Sequence, residues 1–386
     1  MRSEKNMQLI GPTCFGKISH QESSTGKNTM KNLIAGLALG LAVVGGIISG
    51  VFSTARAATV EEVTAQISAL GAAERETFLV KGAKEEGQVL FYSTLPVNQF
   101  AVLKDAFNAR YPFLSLNEFY SPRQGILNRA LTEARAGKQM ADAIMVDLSY
   151  GSQLLEENVA QAFPLADRKR FFDGTYDNRG YWHTMYYLTT ALLYNTRQVS
   201  ADVAPRTYND LLSPRWKGKL LFDPEAGYIL AAMEHAWGKE KAIDFLSRLA
   251  KQDVTFRRGG TLALQLVAAG EYPIAISVNG ETAAEFRDKG APLGFSVLTP
   301  KIIKPNAVFL ARKAPHPRAA VLFTSWVLSE EGQKVLATSL GKGVAMKGIQ
   351  PKYSEFQVTP DFVVGIELGA KLKQYIRDFQ KIFGIL

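Results

Sequence analysis

Three short segments of the chain read QVLFYS at residues 88–93, SLNEFY at 115–120 and AIMVD at 143–147. The first and third are almost entirely apolar, and turn-forming residues flank them, which is typical of strands buried on both faces. Between the three segments, apolar side chains recur at helical spacing, which predicts helices over 97–111 and 122–137. Alternating strands and helices of this kind predict a parallel sheet with right-handed crossovers, and therefore an α/β fold class.

A second α/β pattern follows the first along the chain. The strands predicted in it cover residues 190–194, 219–222, 254–256, 274–278 and 294–298, with a later strand at 307–311. If the chain passes between two lobes at 190–194 and at 294–298, the first lobe is discontinuous. We therefore expect residues 58–189 and 299–386 to form lobe 1, and residues 190–298 to form lobe 2.

The N-terminal region carries the features of an export signal. Residues 1–29 are polar, 33–52 form an uncharged apolar stretch, and Ala55-Arg56-Ala57 ends it with small residues. This order predicts an upstream extension at 1–29, followed by a signal peptide at 30–57 that is cleaved after Ala57 in a periplasmic protein. The alternative is a retained membrane anchor, since 20 apolar residues are long enough to span a bilayer.

The composition excludes several classes of protein. With 386 residues, 47% hydrophobic and 21% charged, the chain is globular and large enough for two domains. Its single cysteine, Cys14, lies in the predicted leader, which argues against a disulfide framework or a Cys-rich metal site. Removing residues 1–57 takes away six basic and two acidic side chains, so the net charge falls from +9 to +5. Because this excess is mild and no Lys/Arg run is present, we expect no nucleic-acid partner.

Polar residues follow all three strands of the first sheet. In open α/β sheets, ligands bind outside the carboxyl ends of the strands, where helices also begin. These positions carry six candidate binding residues: Ser93, Thr94, Tyr120, Ser121, Arg123 and Asp147. The alternative for each is a helix cap, which uses the same residue types.

In the second pattern, the segment RRGGT at residues 257–261 combines guanidinium groups with the start of a predicted helix. Such a segment suits a carboxylate or a phosphate. The candidate binding residues from this half of the chain and from the junction are Tyr187, Glu225, Arg258, Thr261, Asn279 and Glu281.

Several segments, taken in order, resemble one family. They are AKEEGQVLFYS at 83–93, LTEARAG at 131–137, LYNT at 193–196, PRWKGK at 214–219, LVAAGEYP at 266–273 and LSEEGQ at 328–333. Together they are similar to periplasmic solute-binding proteins of ABC importers, in particular the ferric-iron-type cluster. The resemblance implies a type 2 periplasmic-binding clamshell: two lobes, each a mostly parallel sheet flanked by helices, joined by two crossing strands. It also implies a monomer that holds a small-molecule or ionic ligand and delivers it to an ABC permease in the inner membrane.

The resemblance leaves the ligand open. Iron-binding members carry adjacent tyrosines shortly after a Gly-Glu-x-Pro motif, and here Gly280 and Glu281 stand at about that place. Their loop for a synergistic anion corresponds to residues 223–227. Ferric iron is therefore one alternative, whereas mixed acidic and basic candidates favour a small polar or zwitterionic solute.

An enzyme is not expected, because no GxSxG motif accompanies the histidines. The related deaminase fold, which carries a cofactor on a cysteine, is not expected either, because the predicted mature chain has no cysteine. We accordingly assign no catalytic residue, no resident metal and no cofactor. An exported protein that presents a ligand to a sensor uses the same clamshell, so this second alternative stays open.

Overall fold

The computed structural model of this protein describes residues 58–163, 165 and 167–386. The predicted extension and signal peptide, residues 1–57, lie outside these described residues. Within the described part of the chain, no helix is long and apolar enough to cross a membrane.

Eleven strands are found among the described residues. They are β1 (Gln88–Ser93), β2 (Ser115–Tyr120), β3 (Ala143–Asp147), β4 (Ala160–Gln161), β5 (His183–Asn195), β6 (Leu220–Phe222), β7 (Thr255–Phe256), β8 (Ile274–Asn279), β9 (Leu293–Ser296), β10 (Ile302–Ala311) and β11 (Phe362–Val363). The helices are α1 (Val60–Ser68), α2 (Ala72–Glu86), α3 (Val97–Arg110), α4 (Arg123–Arg135), α5 (Ser152–Glu156), α6 (Gly227–Trp237), α7 (Lys239–Ala250), α8 (Gly260–Ala269), α9 (Gly280–Asp288), α10 (Pro317–Val327), α11 (Glu330–Lys334) and α12 (Ile366–Phe383).

The first half of the sheet runs in the order β2–β1–β3–β10–β5. β1 pairs in parallel with β2 and β3, and β10 runs antiparallel between β3 and β5. The bounds of β1, β2 and β3 are those predicted, because runs such as AIMVD are buried on both faces. The α/β fold class is confirmed.

The long strand β5 joins the two halves of the sheet. Residues 183–189 of β5 pair with β10, and residues 190–195 pair with β8 and β9. β6 extends the second half in parallel with β8 and β7. The predicted strand 190–194 is thus only part of β5, since HTMYYLT at 183–189 is buried on both faces and shows no alternation.

The strand β10 is also longer than the predicted 307–311. A proline inside a segment argues against a central strand, because it cannot donate a ladder hydrogen bond. Here Pro305 is accommodated beside a register shift between Asn306 and Ala307, and bulges of this kind tolerate proline. β9 pairs with β5 alone, so the chain returns to the first half of the sheet between β9 and β10.

The recurrence of apolar residues over 61–86 predicts a single helix, and this prediction was wrong. The segment forms two helices, since Thr59 forms a capping box with Glu62 at the start of α1 and Gly71 starts a new helix, α2. Helix α9 had no predicted counterpart. The helices predicted over 97–111 and 122–137 correspond to α3 and α4 within two residues at each end.

Two main groups of apolar side chains form the interior. One, which includes Phe91, Phe107 and Phe323, packs around β1, β3 and the first part of β5. The other packs around β6 and β8, and the C-terminal helix α12 contributes Leu368 and Phe379 to it. The predicted lobe boundaries stay a prediction, and a division by core packing would place α12 with the second group.

Candidate functional site

A cavity of about 600 Å³ lies between the two halves of the sheet. Loops that follow β1, β2, β3, β6 and β7 line it, and so do β8 and β10. Eight of the twelve predicted binding residues are on its walls: Thr94, Tyr120, Arg123, Asp147, Glu225, Arg258, Thr261 and Asn279. The structure thus brings candidates from distant parts of the sequence together, while their contact with a ligand stays a prediction.

The first wall comes from the strand ends of β1, β2 and β3. Asp147 accepts hydrogen bonds from the Ser149 N–H at 3.1 Å and from the Ser149 hydroxyl at 2.6 Å, so it caps the following turn. The Tyr120 side chain is largely exposed, and the Thr94 hydroxyl lies 3.6 Å from the Met145 sulfur. Asp147 therefore caps a turn and also lines the cavity.

Two ion pairs, which we call the rim pairs, face the cavity from opposite walls; the first is partly buried and the second is exposed. Arg123 Nη1 lies 3.9 Å from Asp147 Oδ2, and Arg258 Nη2 lies 3.1 Å from Glu225 Oε1. Burial works against the charge of Arg123, yet Asp147, Tyr150 and Glu225 together raise its pKa above the ordinary value. Since Glu225 belongs to the other wall, the two rim pairs interact across the cavity.

The second wall is held together by Asp223. Its carboxylate accepts from the Glu225 N–H at 2.9 Å and from the Gly259 N–H at 3.1 Å, which ties the loop before α6 to the loop before α8. Gly259 has φ +100°, a conformation that favours glycine. The loop geometry places Gly260 and Thr261 at the cavity on the first turn of α8.

The remaining polar residues, which we call the floor, come from β8, β10 and α6. They are Tyr228, Ser277, Asn279, Lys304 and Asn306. Lys304 Nζ lies 3.4 Å from Tyr228 Oη and 5.0 Å from the centre of its ring, and Tyr228 Oη in turn hydrogen-bonds Ser277 Oγ. Ser277 has φ +67° beside the register shift between β5 and β8, so a strained backbone aims this hydroxyl.

Two amides of the floor have unused hydrogen-bonding capacity. Asn306 is 8% exposed, and its side chain has no hydrogen-bond partner among the described residues. The buried Oδ1 of Asn279 likewise has none in that part of the chain. Buried polar groups are normally hydrogen-bonded, so a ligand or ordered water is expected to complete Asn279 Oδ1. The Asn306 amide faces the same cavity and is free to bind a ligand there.

Four predicted binding residues do not line this cavity. Ser93 is buried, where its hydroxyl donates to Glu118 at 2.5 Å, and Ser121 lies against Gly125 at the start of α4. Tyr187 is 1% exposed, with its N–H bonded to the Gly343 carbonyl at 2.7 Å. Ser93 and Tyr187 face the protein interior, because strand residues alternate between the faces of a sheet that is covered on both sides. Ser121 follows the end of β2 and is half-buried.

Glu281 is the fourth of these residues, and it lies at the point where β5 passes between the two halves of the sheet. It is 3% exposed, and its carboxylate accepts from the Thr189 N–H at 2.8 Å and from the Thr189 hydroxyl at 2.9 Å. Burial raises the pKa of Glu281 to about 7 and lowers the pKa of the nearby buried Lys342. Glu281 therefore holds β5 in place at the point where this strand passes from one half of the sheet to the other.

Sequence reasoning missed most of the floor. Lys304 and Asn306 flank Pro305, which concealed the strand that carries them. Apolar residues lie on both sides of that proline, and the whole segment has the length of one strand with a bulge. This pattern could have predicted β10 from the sequence.

No group of three or more His, Cys, Asp or Glu side chains among the described residues is arranged to hold a metal ion. The adjacent Tyr186 and Tyr187 are both buried, and Tyr186 belongs to the first core. The tyrosines that line the cavity, Tyr120, Tyr150 and Tyr228, come from three different elements.

A second cavity, of about 650 Å³, lies beside α1 and is lined by residues such as Glu61, Arg168 and His183. Burial lowers the pKa of His183 to about 4, so this ring is neutral. The cavity between the two halves of the sheet is the stronger candidate, because strand ends and helix starts converge there.

Comparisons with known proteins agree with this geometry. The profile of the bacterial extracellular solute-binding protein family matches residues 103–362. An uncharacterized protein of Haemophilus influenzae is 31% identical over 137 residues, which are 34% of this chain and 39% of that protein. The Fe(3+)-binding periplasmic protein of Serratia marcescens is 22% identical over 175 residues, 42% of this chain and 51% of the other. The chain thus spans about two fifths to one half of the length of these curated relatives.

Solved structures are similar over most of the described chain. The substrate-binding protein of an ABC transporter from Agrobacterium tumefaciens has a TM-score of 0.65 at 14% identity, covering 78% of this chain and 96% of that one. Iron-bound HitA from Pseudomonas aeruginosa has a TM-score of 0.62 at 21% identity, covering 76% and 99%. At these identities the likeness establishes the fold, and it agrees with the predicted type 2 periplasmic-binding architecture.

Proposed function

Since this chain belongs to the bacterial extracellular solute-binding protein family, we propose that it is the substrate-binding component of an ABC importer. In this function it captures a small polar solute between its two lobes and delivers it to a permease in the inner membrane. The observation that carries the proposal is the cavity between the two halves of the sheet, with ion pairs on both walls and unpaired amides on its floor.

The mechanism follows from the position of the cavity. A ligand that contacts both walls binds better when the walls are close, so it shifts the population from open to closed forms. β5 runs through both halves of the sheet, and residues 297–301 form the return connection. These two segments are where bending would occur. We infer that a permease distinguishes the closed form from the open one.

We further propose that the protein works in the periplasm as a monomer, after cleavage behind Ala57, and that it is not an enzyme. The family supports an extracellular location and a binding activity. The relatives with assigned functions named above are a binding protein and a transporter component, which favours import over a sensor partner.

Ferric iron is the second candidate ligand, and one observation favours it. Two of the similar proteins are described as Fe(3+)-binding and as iron-bound. Against it, Glu281 and not a tyrosine follows Gly280, and this carboxylate already accepts hydrogen bonds from Thr189.

The first experiment is a thermal-shift screen of residues 58–386. The panel holds ferric ion with and without citrate, divalent metals, sugar phosphates, carboxylates, amino acids and polyamines. A ligand at 100 times its Kd adds about 2.7 kcal/mol to the free energy of unfolding, which is a visible shift.

A pair of variants tests whether the ligand binds in this cavity. An added Cβ at Gly260 meets no atom within 4 Å, so Gly260→Trp fills cavity space without steric conflict at its own position. Leu262→Trp, two residues further along α8, changes an exposed side chain and serves as the control. We expect the ligand-induced shift to disappear in Gly260→Trp and to persist in Leu262→Trp. Equal shifts in both variants would contradict binding in this cavity.

A further inference from the structure

The charged side chains around the cavity differ in how many partners they have within the protein. All three acidic groups have partners: Asp147 is bonded to Ser149, Asp223 to two backbone N–H groups, and Glu225 to Arg258. Arg123 and Arg258 are matched by the rim carboxylates. Lys304 is the remaining cation.

Lys304 has no carboxylate within 4.0 Å among the described residues, and its single side-chain hydrogen bond there is the 3.4 Å contact with Tyr228. An ammonium group has three donors, so two are left for a ligand or for water. The side chain is half-buried in the central strand β10, where its charge is less screened than a charge on the surface.

Other donors converge on the same cavity. Asn306 lies two residues along β10 from Lys304, and its buried amide has no partner in the described chain. The first N–H groups of a helix have no acceptor inside it, and those of Gly260 and Thr261 find no side-chain acceptor among the described residues. Backbone N–H groups at a helix start favour an anion.

We propose that the ligand is a small organic anion, a carboxylate or a phosphate monoester, whose charged group binds to Lys304 and Asn306 on the floor. This inference rests on the proposed function, and it narrows the solute class from polar or zwitterionic to anionic. The free donors on the floor belong to Lys304 and Asn306, whereas the acidic groups of the walls already accept hydrogen bonds or pair with an arginine. An anionic group therefore complements the floor better than an ammonium group does.

The test measures Kd by titration calorimetry with four probes: succinate, glycerol 3-phosphate, glycerol and putrescine. We expect succinate or glycerol 3-phosphate to bind the wild-type chain, while glycerol and putrescine do not. The two anionic probes distinguish carboxylate from phosphate recognition.

Variants of Lys304 test the assigned contact. A hydrogen bond to a charged group contributes about 1.5–3 kcal/mol, so Lys304→Met should weaken binding of the anionic probe by about 10- to 100-fold. Lys304→Arg keeps the charge, and the loss should stay below about tenfold. Lys313→Met changes an exposed lysine just beyond the end of β10 and should leave Kd unchanged. Circular dichroism melts confirm that each variant is folded.

Each other outcome overturns the inference in an identifiable way. If glycerol or putrescine binds and Gly260→Trp blocks it, the anionic class is wrong while the proposed function stands. If Lys304→Met binds the anion as tightly as Lys313→Met does, Lys304 is not the contact. If none of the four probes binds and the wider panel is also silent, both the inference and the proposed function fail.

Discussion

The rim pairs and the floor line the same cavity, yet the rim side chains are paired with one another, whereas two amides of the floor have no hydrogen-bond partner in the described chain. In the rim, Arg258 and Glu225 are paired although their side chains are 73% and 47% exposed. In the floor, the buried Oδ1 of Asn279 and the cavity-facing amide of Asn306 lack a protein partner in the described chain. Exposed ion pairs contribute about 0–1 kcal/mol to stability, whereas an unsatisfied buried polar group costs about 1–3 kcal/mol. The comparison indicates that the floor leaves hydrogen-bonding groups free for a ligand, whereas the rim side chains are already paired with one another.

The largest expected effect concerns Glu281, a buried carboxylate that contacts the backbone instead of the cavity. Its folded-state pKa of about 7 lies above the ordinary 4.5. The carboxyl group therefore favours the folded state below about pH 4.5, and this contribution is lost as the pH rises to about 7. At 1.36 kcal/mol per pKa unit, the change is on the order of 3 kcal/mol.

Glu281→Gln removes this titration while keeping an oxygen that can accept from Thr189. We expect the stability of Glu281→Gln relative to the wild type to increase between pH 4.5 and 7, as measured by urea unfolding at each pH. Glu61→Gln, at an exposed position on α1, should show no such trend. A flat difference for Glu281→Gln would mean that this carboxylate does not titrate in the folded protein.

A second prediction separates binding from stability at the floor. Asn306→Leu removes an amide that faces the cavity and has no hydrogen-bond partner in the described chain, so the free energy of unfolding of the ligand-free protein should change by less than about 1 kcal/mol. The same change should weaken binding of succinate or glycerol 3-phosphate about tenfold, since a ligand donor is lost. Differential scanning calorimetry and titration calorimetry measure the two effects. A lower Tm together with unchanged binding would show that Asn306 is a structural residue.

The smallest effect is expected at the rim. Glu225→Gln breaks the exposed pair with Arg258, and we expect Kd for the anionic probe to change by less than about threefold. Because exposed charges are screened by salt, any difference should shrink between 50 mM and 500 mM NaCl. A change as large as that of Asn306→Leu would remove the distinction between rim and floor.

The sequence predicted the rim much better than the floor. Strand ends in a parallel sheet can be located from apolar runs, and so Tyr120, Arg123 and Asp147 could be placed at one edge before the structure was known. Lys304 and Asn306 lie inside a central strand, where Pro305 breaks the expected pattern and the bulge that accommodates it is a tertiary feature. Glu281 was predicted to bind the ligand but lies in the protein interior. The sequence does not show whether a polar residue at a helix start faces the solvent or the interior.

The most direct test of the account is a competition measured by native mass spectrometry. Wild-type and Lys304→Met chains, residues 58–386, are each incubated with one pool that holds the carboxylates, sugar phosphates, amino acids, polyamines and ferric citrate of the screening panel together with neutral sugars. The account predicts that the wild type retains one organic anion in a 1:1 complex and that Lys304→Met retains little of it. Retention of a polyamine, a neutral sugar or iron by the wild type, or equal retention of the anion by both chains, would contradict it.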